Sequence, residues 1–305
     1  MRQFLLIAFV SVFSCMIASA QPEKTIKKDF ERFSTINVQD KFVVKFKHSE
    51  KYSVHITSDE RIAAHVQAYE KNGTLFLILD EKGYTKELKK ELKKKGAAEP
   101  KLEATVYMPT IKSLVFSDKA TLAQCDMFDT DDFTLTATNN AEIHHLKINC
   151  RTAEIEMSKN AELNAEFRVI GKLNLTASNS SNVELKQKGG VSTIEMNNSA
   201  KLEMRGDIQE MKITSASSSE SHIAGKADDL TVKASGSSRT DTELLEVSKA
   251  MITQEGSSKC HVNVLDKMFV NLTDGSMLTF KNKPDIIIDR IVNSTLIRHD
   301  DPKRK

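Results

Sequence analysis

From residue 111 onward, apolar and polar positions alternate with period two, and the alternating unit itself recurs. Leu173 to Leu185, LNLTASNSSNVEL, shows the unit most clearly. Leu173, Leu175 and Ala177 share one face of a first strand. Asn179 and Ser180 form a polar corner. Ser181, Val183 and Leu185 then turn to the same side along a second strand.

The residue after the corner recurs as Ala120, Ala141, Ala161, Ser181, Ala200, Ser219, Ser238, Ser258, Ser276 and Ser294, in steps of 18 to 21 residues. Six residues earlier the chain carries Leu114, Leu135, Ile155, Leu175, Ile194, Ile213, Val232, Ile252, Val270 and Ile288, all aliphatic. Two residues later stand Leu122, Ile143, Leu163, Val183, Leu202, Ser221, Thr240, Cys260, Leu278 and Leu296. Just before each corner residue, small polar types dominate; Asn and Gly tolerate the positive φ of a sharp bend.

A period near 20 with strand alternation predicts a solenoid, because one coil cannot bury its apolar face but stacked coils can. The L-x-x-L-x-L spacing of leucine-rich repeats is absent. The pattern therefore predicts an all-β, right-handed parallel β-helix of about ten regular coils over 111–298, roughly 48 Å tall at the strand spacing. The aliphatic column becomes an internal ladder, and Ala or Ser fits the tight corner. Inward serines are expected to hydrogen-bond one another along the stack.

Residues 30–110 carry strands at other spacings and read as irregular opening coils that cap the stack. Phe33, Ile36 and Val38 form one pattern; Val43, Val44 and Phe46 form another; Tyr52, Val54 and Ile56 alternate. Asn72-Gly73 is a hairpin-turn signal before Leu75, Leu77 and Leu79. One short helix is expected at 84–95, YTKELKKELKKK, with Leu88 and Leu92 on one face, Glu87 and Glu91 near lysines, and Gly96 as the stop. Its narrow apolar stripe reads as a solvated insertion rather than a polyanion site. Residues 21–29 form an N-terminal extension, and 299–305 a charged, disordered tail.

Residues 1–20, MRQFLLIAFVSVFSCMIASA, have the order of a secretory signal peptide, with Ala18-Ser19-Ala20 as its cleavage site. Cleavage before Gln21 is preferred over lipidation at Cys15, since Phe13 fits a lipoprotein box poorly. No other stretch is long and apolar enough for a membrane-spanning helix. Cys125, Cys150 and Cys260 remain. Their odd number excludes complete pairing, Cys125 and Cys150 sit at different offsets, and Cys260 occupies an inward column as a small hydrophobe. The 44 basic and 42 acidic side chains nearly cancel, which gives no reason to expect nucleic acid as a partner.

Phe33-x-x-Ile36-x-Val38, Tyr52-Ser53-Val54-x-Ile56, Asn72-Gly73-Thr74-Leu75, Val106-Tyr107-Met108-Pro109, the repeated corners and Lys283-Pro284 come in an order that resembles the family named putative auto-transporter adhesin, head GIN domain. The resemblance covers about residues 30 to 285. It implies a secreted or envelope β-solenoid of Gram-negative bacteria and brings no catalytic residues. Asn and Ser replace the Gly common in that family's corners, and the chain continues about one coil further.

Candidate chemistry is sparse. His144, His222 and His261 share one offset, but on backbone spacing they stand about 19 Å and 10 Å apart, too far for one ion. Glu184, Glu203, Asn164 and Asp241 occupy the same offset, so it reads as a solvated face, with His145 on the opposite side of its strand. A polysaccharide lyase or hydrolase needs converging carboxylates. Asp118, Asp126, Asp131, Asp132 and Asp274 scatter over distant coils. The expectation is a non-enzymatic surface protein without catalytic, cofactor-binding or metal-binding residues. It binds an extended partner, a glycan or cell-surface protein, and is exported to the periplasm, outer membrane or exterior. The alternatives are a polysaccharide-active β-helix enzyme and an envelope scaffold self-associating through its coil ends.

Overall fold

The computed structural model of the chain describes residues 22–299. The expected signal peptide, Cys15, the cleavage point at Gln21 and the tail beyond His299 lie outside them. The described chain is a β-solenoid of about ten turns with one α-helix. Each regular coil has two strands. After the Ser181 corner, Asn182–Lys188 runs along one face, and Val191–Met196 returns along the other to the Ala200 corner. The next coil repeats this with Lys201–Asp207 and Glu210–Ser215. Neighbouring coils pair in parallel, Asn182 opposite Lys201 and Val191 opposite Glu210.

The corners explain the polar residues before each repeat origin. The amide of Ser181 donates to the Ser178 carbonyl at 3.2 Å, and Asn179 and Ser180 between them have φ of 51° and 61°. Two positive φ values in a four-residue turn are the type I′ geometry. Asn139-Asn140, Lys159-Asn160 and Asn198-Ser199 repeat it. From Ser219 to Ser258 only the first central residue is left-handed, at Ser217, Gly236 and Gly256. The side chains also ladder between coils: Asn139 donates to Asp118 at 3.1 Å, Asn160 to Asn140 at 3.2 Å and Asn198 to Asn179 at 3.2 Å. Asn therefore serves the corners twice, through αL tolerance and through an amide that reaches the next rung.

The aliphatic column from Leu114 to Val270 is buried throughout, as is the second column from Leu122 to Leu278. Each Val, Leu or Ile side chain so removed from water contributes roughly 1.5–3 kcal/mol. The serine ladder departs from expectation. The hydroxyls of Ser181, Ser219 and Ser221 have no protein hydrogen-bond partner. Ser238 instead donates to the Ser215 carbonyl at 3.2 Å, and Thr240 to the Ser215 hydroxyl at 3.0 Å. Both bonds reach the residue four before the corner of the preceding coil rather than the corner serine itself. Ser276, donating to Ser294 at 3.2 Å, follows the expected column.

At the N-terminal end the chain order and the stacking order differ. Thr35–Val38 lies between Thr74–Leu79 and Ser113–Phe116, parallel to both. Val43–His48 lies likewise between Leu102–Met108 and Thr121–Cys125. The end is then closed by antiparallel strands: Tyr52–Asp59 pairs with Leu102–Met108, Glu23–Phe30 pairs with Tyr52–Asp59, and Val66–Lys71 pairs with Thr74–Leu79. Asn72 and Gly73 form the last of these hairpins with φ of 54° and 75°. Residues 23–30 thus form an edge strand.

The helix spans Lys86–Leu92, shorter than 84–95, because Thr85 caps it by accepting from the Leu88 amide at 3.1 Å. Leu88 and Leu92 pack on the core rather than leaving the insertion free. Glu91 reaches Arg61 at 3.2 Å instead of a helix lysine.

The C-terminal end stays open. Asp285–Ile291 and Thr295–Arg298 form the last rung, and among the described residues nothing pairs with their outer edge. Ile288, which ends the aliphatic column, is 54% exposed for lack of a covering coil. His299 still belongs to the stack, its amide donating to the Phe280 carbonyl at 2.8 Å.

Candidate functional site

The most continuous feature of the surface is the face that follows each corner. Parallel register without slippage places Glu142, Glu162, Asn182, Lys201, Glu220 and Arg239 in one outward row. Two residues further along each strand runs a second row, including Asn164, Glu184, Glu203, His222, Asp241 and His261. Within it Asn164 donates to Glu184 at 2.5 Å. Glu142 and Glu220 each lie beside the imidazole two residues on, with His144 at 3.3 Å and His222 at 3.2 Å. The face is a lattice of carboxylates, amides and cations at one strand spacing.

The histidines do not behave as backbone spacing suggests. His145 has φ of 56° at a bulge where the register jumps from Ile143 to Leu146, so both His144 and His145 remain outside. His222 and His261 flank Asp241, which occupies the coil between them. Its Oδ2 lies 3.7 Å from His222 Nδ1 and 3.9 Å from His261 Nδ1. Side chains on alternate coils lean together across a middle residue, which Cα spacing cannot show. A second bulge, between Thr242 and Glu246, sets Glu243 beside them. Ligand atoms of Asp241, Glu243 and His261 all lie within 4.8 Å of one another. Sequence reasoning missed Glu243. The available signal was the length of its coil, 20 residues from Ser238 to Ser258 against 18 in the next.

The scattered aspartates stay scattered. Asp126 accepts from Lys47 Nζ and the His48 amide, both at 3.1 Å, and its pKa is lowered. Asp132 accepts from Arg151 and Thr152 at 2.6 Å. Asp131 and Asp132 are neighbours in the strand Met127–Ala137, and both are exposed.

The three thiols are free and buried. Burial pushes Cys125 up to about 12 and Cys150 up to about 11, and it raises Cys260 further. These groups are inert hydrophobes. A cavity of about 380 Å³ opens under the helix, lined by Ile62, Leu79, Tyr84, Leu92, Leu102 and Lys93. It belongs to the irregular end, where the repeat is interrupted. No helix among the described residues is long and apolar enough to cross a membrane.

The fold has solved counterparts. A protein described as a putative adhesin from Parabacteroides merdae superposes with a TM-score of 0.51 at 15% identity, covering 92% of this chain and 98% of that one. One described as a putative lipid binding protein from Parabacteroides distasonis gives a TM-score of 0.50 at 14% identity, with the same coverage. At such identity the likeness concerns the fold. No curated protein sequence matches the chain. The family model described as putative auto-transporter adhesin, head GIN domain matches residues 32–187 and 168–284, and the chain belongs to that family.

Proposed function

We propose that this protein is an exported, non-enzymatic surface protein that binds an extended partner, a glycan or the surface of another repetitive protein, through the face that follows its corners. The observation carrying this reading is the continuous pairing of the first outward row from Glu142 to Arg239. Polar and charged groups recur there at the strand spacing, so an extended ligand meets many contacts, each weak and together strong. The adhesin label of the family supports the reading. Export rests on the leader-like residues 1–20.

The test is retention of the purified protein on immobilised polysaccharides, with soluble oligosaccharides of increasing length as competitors. Longer oligomers are expected to compete far better than short ones, with no release of reducing or unsaturated ends and no loss of retention in EDTA. Turnover that disappears on mutating one aspartate would establish the lyase or hydrolase reading instead.

The open C-terminal rung favours a second reading, self-association. Ile287, Ile288, Ile291, Val292 and Ile297 are exposed there, whereas antiparallel strands close the other end. This geometry suits a tail-to-tail pair rather than a filament. Light scattering of the protein and of an Ile288→Lys, Ile297→Lys variant checks it: a dimer dispersed by the two charges supports pairing.

A further inference from the structure

On the same face, the coils between Ser219 and Ser276 carry a cluster of side chains that a simple row of repeated contacts does not account for. We propose that Asp241, Glu243 and His261 form a binding site for a borderline divalent transition metal, with Zn²⁺ as the representative ion, held at the junction of two neighbouring coils.

The geometry is specific. Asp241 Oδ1 is committed to the Glu243 amide at 3.1 Å, which builds the bulge and leaves Oδ2 directed along the row. The bulge sets the Glu243 carboxylate beside it. Thr242, buried between the two, donates to the His261 carbonyl at 2.9 Å and ties the coil of the carboxylates to the coil of the imidazole. The three ligand atoms lie within 4.8 Å of one another. Tetrahedral ligands about 2.0–2.1 Å from zinc lie roughly 3.3 Å apart, so rotamer adjustment of about an ångström closes the set. All three side chains are partly buried, at 20%, 32% and 30% exposure. Support around a metal usually fixes its ligands through hydrogen bonds, and the Glu243 amide and Thr242 hydroxyl act in that way here.

Two further imidazoles approach the same carboxylates: His222 Nδ1 at 3.7 Å from Asp241 and His299 Nδ1 at 3.9 Å from Glu243. Three histidines from three coils around two carboxylates differ from an ordinary acidic patch. Imidazole with carboxylate selects zinc, copper or nickel over calcium and magnesium, which prefer all-oxygen shells. In the ion-free arrangement the carboxylates face cations already: Lys281 Nζ lies 2.7 Å from Glu243, and Arg239 Nη2 lies 3.7 Å from Asp241. The Lys281 ammonium occupies the place a metal would contest. That competition gives the proposal a test that loss of structure cannot imitate.

The experiment is calorimetric titration of ZnCl₂ into the purified full-length protein, with CaCl₂ as a control. One equivalent of Zn²⁺ is expected to bind with a dissociation constant below about 10 μM and to raise the melting temperature, while Ca²⁺ does neither. His261→Ala and Asp241→Asn each weaken binding by about tenfold or more. Both positions face outward, so circular dichroism should match wild type. Lys281→Ala removes no ligand and tightens zinc by about three- to tenfold, since one competing charge is gone. His144→Ala with His145→Ala leaves stoichiometry and affinity unchanged. Absence of saturable zinc binding at 100 μM, on the order of tenfold above the expected constant, overturns the proposal. So does equal binding by the Asp241→Asn, His261→Ala double variant, or a Lys281→Ala affinity no tighter than wild type.

Discussion

The two ends of the solenoid solve the same problem in opposite ways. At the N-terminal end the chain reverses direction: Glu23–Phe30, Tyr52–Asp59 and Val66–Lys71 run antiparallel to their neighbours. An antiparallel strand cannot template another parallel coil. The edge strand EKTIKKDF also carries charges that discourage further pairing. At the C-terminal end Asp285–Ile291 keeps the parallel direction, and its isoleucines lie open. The comparison teaches that the repeat supplies its own core but not its own ends. Closure comes from irregular sequence, which this chain carries at one end only among the described residues.

The coil is the unit of the middle of the molecule, and deleting parts of it should show this most strongly. Removing Val191 to Gln209, one whole coil, is expected to leave a cooperatively folded protein, because the columns re-register. A cut of ten residues from Val191 should abolish cooperative urea unfolding, since it removes one strand with its corner and leaves half a coil, so the columns on either side no longer meet. Similar behaviour of the two deletions would break the solenoid account. Within the aliphatic column, Ile194→Asp should cost about 3–5 kcal/mol, an unpaired charge in a dry core. Ile288→Asp in the same column should cost less than about 1 kcal/mol at its exposed site. Urea midpoints of the pair measure how far closure extends from each end.

Glycine offers a finer version of the same contrast. Gly225 has φ of 123° and lies against Gly206 of the adjacent coil, where an added Cβ would collide with the Gly206 carbonyl oxygen. Gly225→Ala is expected to cost about 2–4 kcal/mol, combining strain with a displaced rung. Gly73, with φ of 75° in the end hairpin, has nothing within 4 Å of a built Cβ. There the change should cost only the αL strain, about 1–2 kcal/mol.

The smallest effect concerns the closed end. Asp59 is buried, and Arg61 donates to it at 2.7 Å while also reaching Glu91 on the helix. The Arg61 hydrogen bonds hold the Asp59 carboxyl below its usual range. A depressed folded-state pKa adds stability that is fully present above the unfolded value of about 3.9 and fades as pH falls through the folded value. The gap in urea midpoint between wild type and Arg61→Ala should therefore hold from pH 7 to about 5 and shrink below about 4. A gap that widens on acidification would break this assignment.

Much of the fold was legible because repetition amplifies weak signals. One Ile-x-x-x-x-x-Ser says little, but ten at nearly constant steps specify a parallel stack, its inward columns and its corners. The Asn72-Gly73 hairpin was equally legible, since its turn type demands those residues. Other features were not. Thr35–Val38 has a strand pattern, yet nothing in it says that it lies between a later coil and a still later one. The column at Ile288 reads like that at Ile194, and only the missing neighbour exposes it. Serine in the corner column signals small volume, whereas its hydrogen-bond partner depends on what the neighbouring coil sets beside it.

The candidate metal cluster marks the same division. Alternation and period by themselves determined that His222, Asp241 and His261 share an outward row, because side-chain direction in a strand follows from position alone. Whether their ring and carboxylate atoms meet was decided by tertiary structure. Leaning side chains span two strand spacings, and a bulge whose residue count is visible but whose direction is not adds Glu243 to the group. Local periodicity encodes which face a residue takes; the distances between faces, ends and bulges arise only when the coils stack.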